Sequence, residues 1–182
     1  MKPMPTEVPN QQQMVRRIAF FEKHYNLHSD HFVDDDGRVP AQAIDGLIRR
    51  YLTVPLPIEL LSEDVWCSFR ELRGAGPLTV NFANNTHKTI TATFGGDLSA
   101  LDRGATRMGG LLEPGQGYDR RYRFHAFHEV PLILNYNAAD DLFPAQACLL
   151  FHRSAQNLFD IRELFTLGTY LTGRLIAGGG HS

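Results

Sequence analysis

The chain has 182 residues, 43% of them hydrophobic and 21% charged, with a formal net charge of -2. Those proportions are ordinary for a globular protein and exclude a disordered or fibrous chain; the length suits one domain with a core of its own. A nucleic-acid binder carries a basic surplus, and none is present.

Met1 to Asn10, with prolines at 3, 5 and 9, reads as a flexible arm. Met14, Ile18, Phe21 and Tyr25 then recur at steps of four, three and four, which predicts a helix. Asp34-Asp35-Asp36-Gly37 is a turn. Pro40 stands near the start of a second helix, where Ile44, Leu47, Ile48, Tyr51 and Leu52 form an apolar stripe that Pro55 and Pro57 end. Val65 to Leu72 is rich in strand-forming residues, and Leu78 to Phe82 is expected to be a second short strand after the Gly74–Pro77 turn. Asn85 to Phe94 fits strand and helix equally. Asp97 is expected to cap a helix through Met108, stopped by Gly109-Gly110.

Three strand-like runs follow: Tyr118 to Phe127, Val130 to Tyr136 and Gln146 to Phe151. Their connections are too short for parallel crossovers, so the pairing should be antiparallel. Asp160 and Glu163 form a capping box for a last helix whose buried face is Ile161, Leu164, Phe165, Leu171 and Leu175. Gly178 to Gly180 reads as a frayed end. The expected fold is α+β: an antiparallel sheet of about five strands against three to four helices. It occupies residues 11–176 as one domain, with an arm at 1–10 and a flexible tail at 177–182.

Cys67 and Cys148 are far apart in apolar runs, with no CxxC pair, so no iron–sulfur cluster or zinc ribbon is expected. No apolar run approaches the roughly 18 residues of a membrane span, and Met1 to Gln13 lacks a signal-peptide apolar stretch. A cytoplasmic protein is expected, with no membrane or nucleic-acid partner. Asn84-Asn85-Thr86 is a glycosylation sequon, meaningful only in a secreted chain.

Several constellations could carry chemistry. His24 and His28, at i and i+4 of the first expected helix, would share a face, with His31 just beyond. His125 and His128 could hold a metal if a bend joined them, with Asp140 or Asp141 supplying a carboxylate. Asp140 and Asp141 are equally well read as turn formers. Arg70 and Glu71 end the strand at Trp66: Arg70 would either pair with Asp140 or Asp141, or grip an anionic ligand bidentately. Arg120, Arg121 and Arg123, with Arg103 and Arg107 upstream, form a basic group, read as a solvated face or an anion patch. Phosphate-binding loop, dinucleotide and nucleophile-elbow signatures are all absent.

The run Trp66 to Leu72, the Gly109-Gly110 pair, Val130-Pro131-Leu132-Ile133-Leu134, and Asp140 to Ala145 followed by Leu149-Leu150-Phe151 occur in an order that, with the final helix, resembles a prokaryotic domain-of-unknown-function family, number 3786, over residues 40–176. The resemblance implies a cytoplasmic protein of anaerobic bacteria or archaea. Some members carry an iron–sulfur cluster domain like that of corrinoid proteins, and no activity is established for the family. The chain departs from the pattern at His152, where an acidic residue is usual, and at Tyr136 to Ala139, where a bulky aromatic and a glycine are usual. The expected function is a binding or accessory module for a partner protein or small ligand, possible as a homo-oligomer and linked to anaerobic redox or corrinoid metabolism. The alternatives are a small metal- or anion-dependent enzyme using His125, His128 and the Asp140-Asp141 loop, and a small-molecule sensor with an apolar pocket between the sheet and the last helix.

Overall fold

The computed structural model describes residues 17–54 and 65–180, so Met14, Pro55, Pro57 and the expected arm lie outside the described residues. The helix expected near the start is instead a three-stranded antiparallel meander: β1 (Arg17–Phe20), β2 (Lys23–His28) and β3 (His31–Asp34). Its side chains alternate, with Phe20, Tyr25 and Phe32 buried. The two-residue turns are Phe21-Glu22 and Ser29-Asp30, with φ of 51° at Phe21 and 52° at Ser29. That left-handed region is usually marked in sequence by glycine or asparagine. Without that mark, the spacing of apolar residues counterfeits a helical stripe. In a strand, His24 and His28 are roughly 13 Å apart, not one helical turn, so they cannot grip one metal; both are exposed, as is His31.

The turn at Asp34 forms as expected. Its Oδ1 accepts the N–H of Asp36 at 3.1 Å and of Arg38 at 2.8 Å, and its Oδ2 receives Lys23 Nζ at 2.6 Å. Helix α1 (Gln42–Thr53) follows and buries Ile44, Leu47 and Ile48.

The second sheet has five antiparallel strands in the order β4 (Trp66–Ser68), β8 (Gln146–His152), β7 (Val130–Asn137), β6 (Arg120–Phe127), β5 (Leu111–Leu112). An α+β fold with this sheet is the expected class. Tyr122 and Phe124 of β6, Leu132, Leu134 and Tyr136 of β7, and Leu149 and Phe151 of β8 belong to the core under the helices. Strand β4 is shorter than expected: after Ser68 the chain turns into a tight helical turn at Phe69–Glu71.

Leu78 to Phe82, expected to be a strand, belongs to a helical run. Helix α2 (Thr79–Ala83) passes through a widened π-type turn at Asn84–Lys88 into α3 (Thr89–Phe94). Threonine disfavours helix because its hydroxyl and β-branch compete with the backbone. Here Thr79, Thr86 and Thr93 donate to the carbonyls of Ala75, Phe82 and Thr89, four residues back. Phe82, Thr86, Ile90 and Phe94 are all buried, a stripe at steps of four that spans the two expected segments.

Helix α4 (Leu98–Arg107) is capped as expected, Asp97 Oδ1 accepting the N–H of Ala100 at 2.8 Å. The short α5 (Ala155–Leu158) leads to α6 (Ile161–Gly179), where Asp160 and Glu163 satisfy each other's backbone N–H groups at 2.9 and 2.7 Å. The glycine run does not fray at Gly178: α6 continues through Gly179, and both glycines are buried. They lie against Gly104 of α4, where a methyl would stand 2.4 Å from the Leu175 carbonyl oxygen. Arg107 and Arg103 then donate to the carbonyls of Gly178 and Gly179 at 2.8 and 3.2 Å, closing the helix end.

Candidate functional site

The arginines of β6 are occupied. Arg120 grips Asp102 with two hydrogen bonds of 2.8 and 3.0 Å, and Tyr122 donates to the same carboxylate at 2.5 Å. Arg121 and Arg123 share Glu113, at 3.4 and 2.5 Å, and Arg123 lies over the Trp66 ring at 5.0 Å. The basic group is therefore matched by acids and an aromatic ring; it is not an anion patch.

His125 and His128 are both exposed at the β6–β7 hairpin. A register shift falls between His125 and Phe127, and His125 Nδ1 lies 3.1 Å from the carbonyl oxygen of His128. Asp140 and Asp141 follow the other end of β7, roughly 23 Å of strand away, so the structure does not bring the four together. Among the described residues no group of three or more histidines, cysteines or carboxylates is placed to hold a metal ion. Asp140 Oδ1 accepts the N–H groups of Leu142 and Phe143 at 2.8 and 2.7 Å, the turn-forming role.

Glu71 folds back on its own chain. Its carboxylate receives the Ser68 backbone N–H at 2.7 Å and the Ser68 hydroxyl at 2.6 Å, and those bonds hold its pKa below the usual carboxylate range. Arg70 makes no hydrogen bond in that box, though its charge helps to lower the Glu71 pKa. It makes no ion pair with Asp140 or Asp141, nor with any other described residue.

Arg70 instead borders a cleft of about 290 Å³, lined by Ser68, Phe69, Thr79, Phe82, Ala83, His87 and Cys148. The cleft exists because β4 is so short. It pairs with β8 only as far as Ser68 opposite Leu150, leaving the edge of β8 open at Leu149. An unpaired N–H on such an edge is costly to bury. His87, brought round by the π-type turn, supplies the acceptor: its Nε2 receives the Leu149 N–H at 3.0 Å. Phe69 and Phe82 stack at 3.9 Å and 6°, and the His87 ring meets Phe82 edge-on at 5.7 Å. Phe82 is held from behind by Gly168, where a methyl would stand 2.5 Å from its ring.

The protonation states follow from these contacts. Burial pushes the His87 pKa below its usual value, so the ring is neutral at neutral pH. With Nε2 accepting, the proton sits on Nδ1, which has no partner among the described residues and is not sealed from solvent. Burial pushes the Cys148 thiol up, the nearby Arg70 charge opposing. A raised thiol beside an imidazole that can only donate is poorly arranged for nucleophilic chemistry, which needs a thiolate and a base. The Arg70 and His87 side chains border the cleft over an apolar floor.

Residues 4–174 match the family described as a domain of unknown function, DUF3786. The chain belongs to that family. The DUF3786 match spans every residue around the cleft and each strand of both sheets. No match was found among curated proteins or among solved structures. No helix among the described residues is long and apolar enough to cross a membrane.

Of the cleft residues, the sequence pointed only to Arg70. His87 lies in a stretch that read as strand or helix, and Cys148 read as a buried small hydrophobe. The one available signal for His87 was a lone histidine between the buried positions Thr86 and Ile90.

Proposed function

We propose that this DUF3786 domain is a small-ligand binding module whose ligand occupies the Arg70–His87 cleft. The carrying observation is the Arg70 guanidinium, which lines an apolar cleft of about 290 Å³ and pairs with no described residue. An unpaired guanidinium beside stacked rings fits a small aromatic or branched carboxylate: the anion takes Arg70 and the His87 Nδ1–H, and the body lies on Phe69 and Phe82. In this reading the domain is a cytoplasmic accessory to an anaerobic redox or corrinoid system, as the family resemblance implies, and it binds without turning its ligand over.

Benzoate and phenylacetate serve as probes, titrated by NMR with the ring signals of Phe69 and Phe82 as reporters. Arg70→Leu should weaken binding by about tenfold or more, the usual weight of a charged hydrogen bond. Saturable binding that Arg70→Leu leaves unchanged, or shifts confined to other parts of the fold, would remove this reading.

A second reading, self-association, is favoured by Leu142 and Phe143, which are 82% and 63% exposed at the tip of the Asp140 turn. Sedimentation of the wild type as a dimer, and of Leu142→Ser/Phe143→Ser as a monomer, would support it. A monomer in both would leave the ligand reading alone.

A further inference from the structure

The meander, the start of α1 and the middle of α6 enclose an open groove of about 500 Å³. It shares no lining residue with the Arg70–His87 cleft. One wall is apolar, from Val39 through Ile44. The other carries Lys23, Tyr25, Tyr170 and Arg174, with Arg38 at the rim.

The polar groups of this wall are unevenly satisfied. Asp34 is fully engaged, accepting Lys23 and two backbone N–H groups. Glu22 takes Arg174 at 2.9 Å through Oε1, while its Oε2 is buried without a hydrogen-bond partner among the described residues. Tyr25 is only 4% exposed, yet its hydroxyl has no hydrogen-bond partner among the described residues, and neither has that of Tyr170. Buried tyrosine hydroxyls normally find a partner. Neither oxygen is sealed from solvent, and both residues line the groove. Burial, followed by the neighbouring Asp34 and Glu22 charges, raises the Tyr25 pKa; burial and Glu22 raise that of Tyr170. Both hydroxyls therefore stay protonated and can donate. Lys23 and Arg174 each keep N–H groups that their carboxylate partners do not use. The three cations that line the groove are each ion-paired, Lys23 with Asp34, Arg38 with Asp36 and Arg174 with Glu22. Beyond those pairs, Lys23, Arg174, Tyr25 and Tyr170 still carry N–H and O–H donors that no described residue uses.

We propose that this groove is a second binding site, for a phosphate group. The Tyr25 and Tyr170 hydroxyls donate to it with Lys23 and Arg174, and the organic part of a phosphomonoester lies along Val39 to Ile44. A phosphate, with three acceptor-only oxygens, uses more of the surplus donors than a carboxylate does.

The test is calorimetric titration of the full chain with phenyl phosphate and, separately, inorganic phosphate. The key variant is Tyr25→Phe/Tyr170→Phe, which keeps both rings and removes only hydroxyls that bond no described residue. It should keep the wild-type melting temperature and weaken phenyl phosphate binding by roughly tenfold per hydroxyl, the weight of a hydrogen bond to a charged group. Tighter binding of phenyl phosphate than of inorganic phosphate would assign the apolar wall to the ligand's organic part; equal affinities would assign the site to free phosphate. No saturable binding of either probe by the wild type, or affinities the double variant leaves unchanged, would overturn the proposal. Read by NMR from the Tyr25 and Tyr170 ring signals, phenyl phosphate binding should be the same in Arg70→Leu as in the wild type, while the Phe69 and Phe82 signals report the cleft, which keeps this site's failure separate from that of the cleft.

Discussion

Gly104→Ala should destabilise the fold although it places a better helix former inside α4. A methyl there would stand 2.4 Å from the Leu175 carbonyl oxygen and 3.2 Å from the Gly179 nitrogen, where ordinary contact begins at 3.4 Å. Both are backbone atoms of α6, so no side chain can swing aside, and the helices must part by about 1 Å at their closest approach. Overpacking of this kind costs about 1–3 kcal/mol, and the rigid obstacle argues for the upper end. Alanine's helix propensity returns about 1 kcal/mol, which leaves a net loss of about 2 kcal/mol. Gly46→Ala in α1 and Gly173→Ala in α6 are the controls. Both sites are exposed with nothing within 4 Å of the added methyl, so each should gain up to about 1 kcal/mol. Urea denaturation gives the differences directly. For a chain of this size the Gly104→Ala loss should lower the melting temperature by about 4–8 °C. A Gly104→Ala protein as stable as Gly173→Ala would refute the close approach of α4 and α6.

Two further outcomes follow from local contacts. His87 has a folded pKa below its ordinary 6.5, so unfolded chain takes up a proton that folded protein refuses. Its contribution is intact above that ordinary value and is lost as pH falls through the folded one; His87→Gln, which can still accept the Leu149 N–H, should lose less melting temperature than wild type between about pH 7 and about pH 5. Parallel curves for the two proteins would show that His87 is not the buried neutral acceptor. Asp160→Ala removes the acceptor of the Arg162 and Glu163 N–H groups and should cost about 1 kcal/mol in urea, a typical N-cap loss; no change would mean the first turn of α6 finds other partners.

Where local chemistry is complete in a short stretch, the sequence determined the structure. The Asp160–Glu163 box, the Asp97 cap, the α1 stripe and the Asp34 turn each depend on residues within one or two turns of each other. Strands β6, β7 and β8 were legible because their short connections leave only antiparallel pairing. The tertiary structure decided the rest. The meander from Arg17 to Asp34 rests on two left-handed turns without glycine, which its neighbours in space hold and no local signal marks. The helix at Thr79–Phe94 overrides threonine's preference because Phe82, Thr86, Ile90 and Phe94 can all be buried together. The helical end at Gly178 and Gly179 is fixed by Gly104 and two arginines more than 70 residues away. Both candidate sites belong to this second kind. The cleft exists because β4 stops at Ser68 and leaves an N–H on β8 for His87 to accept; the groove exists because Tyr25 and Tyr170, 145 residues apart, line one hollow. Such placements follow from which elements pack together, and that is settled by burial across the whole chain, not by any local run of residues.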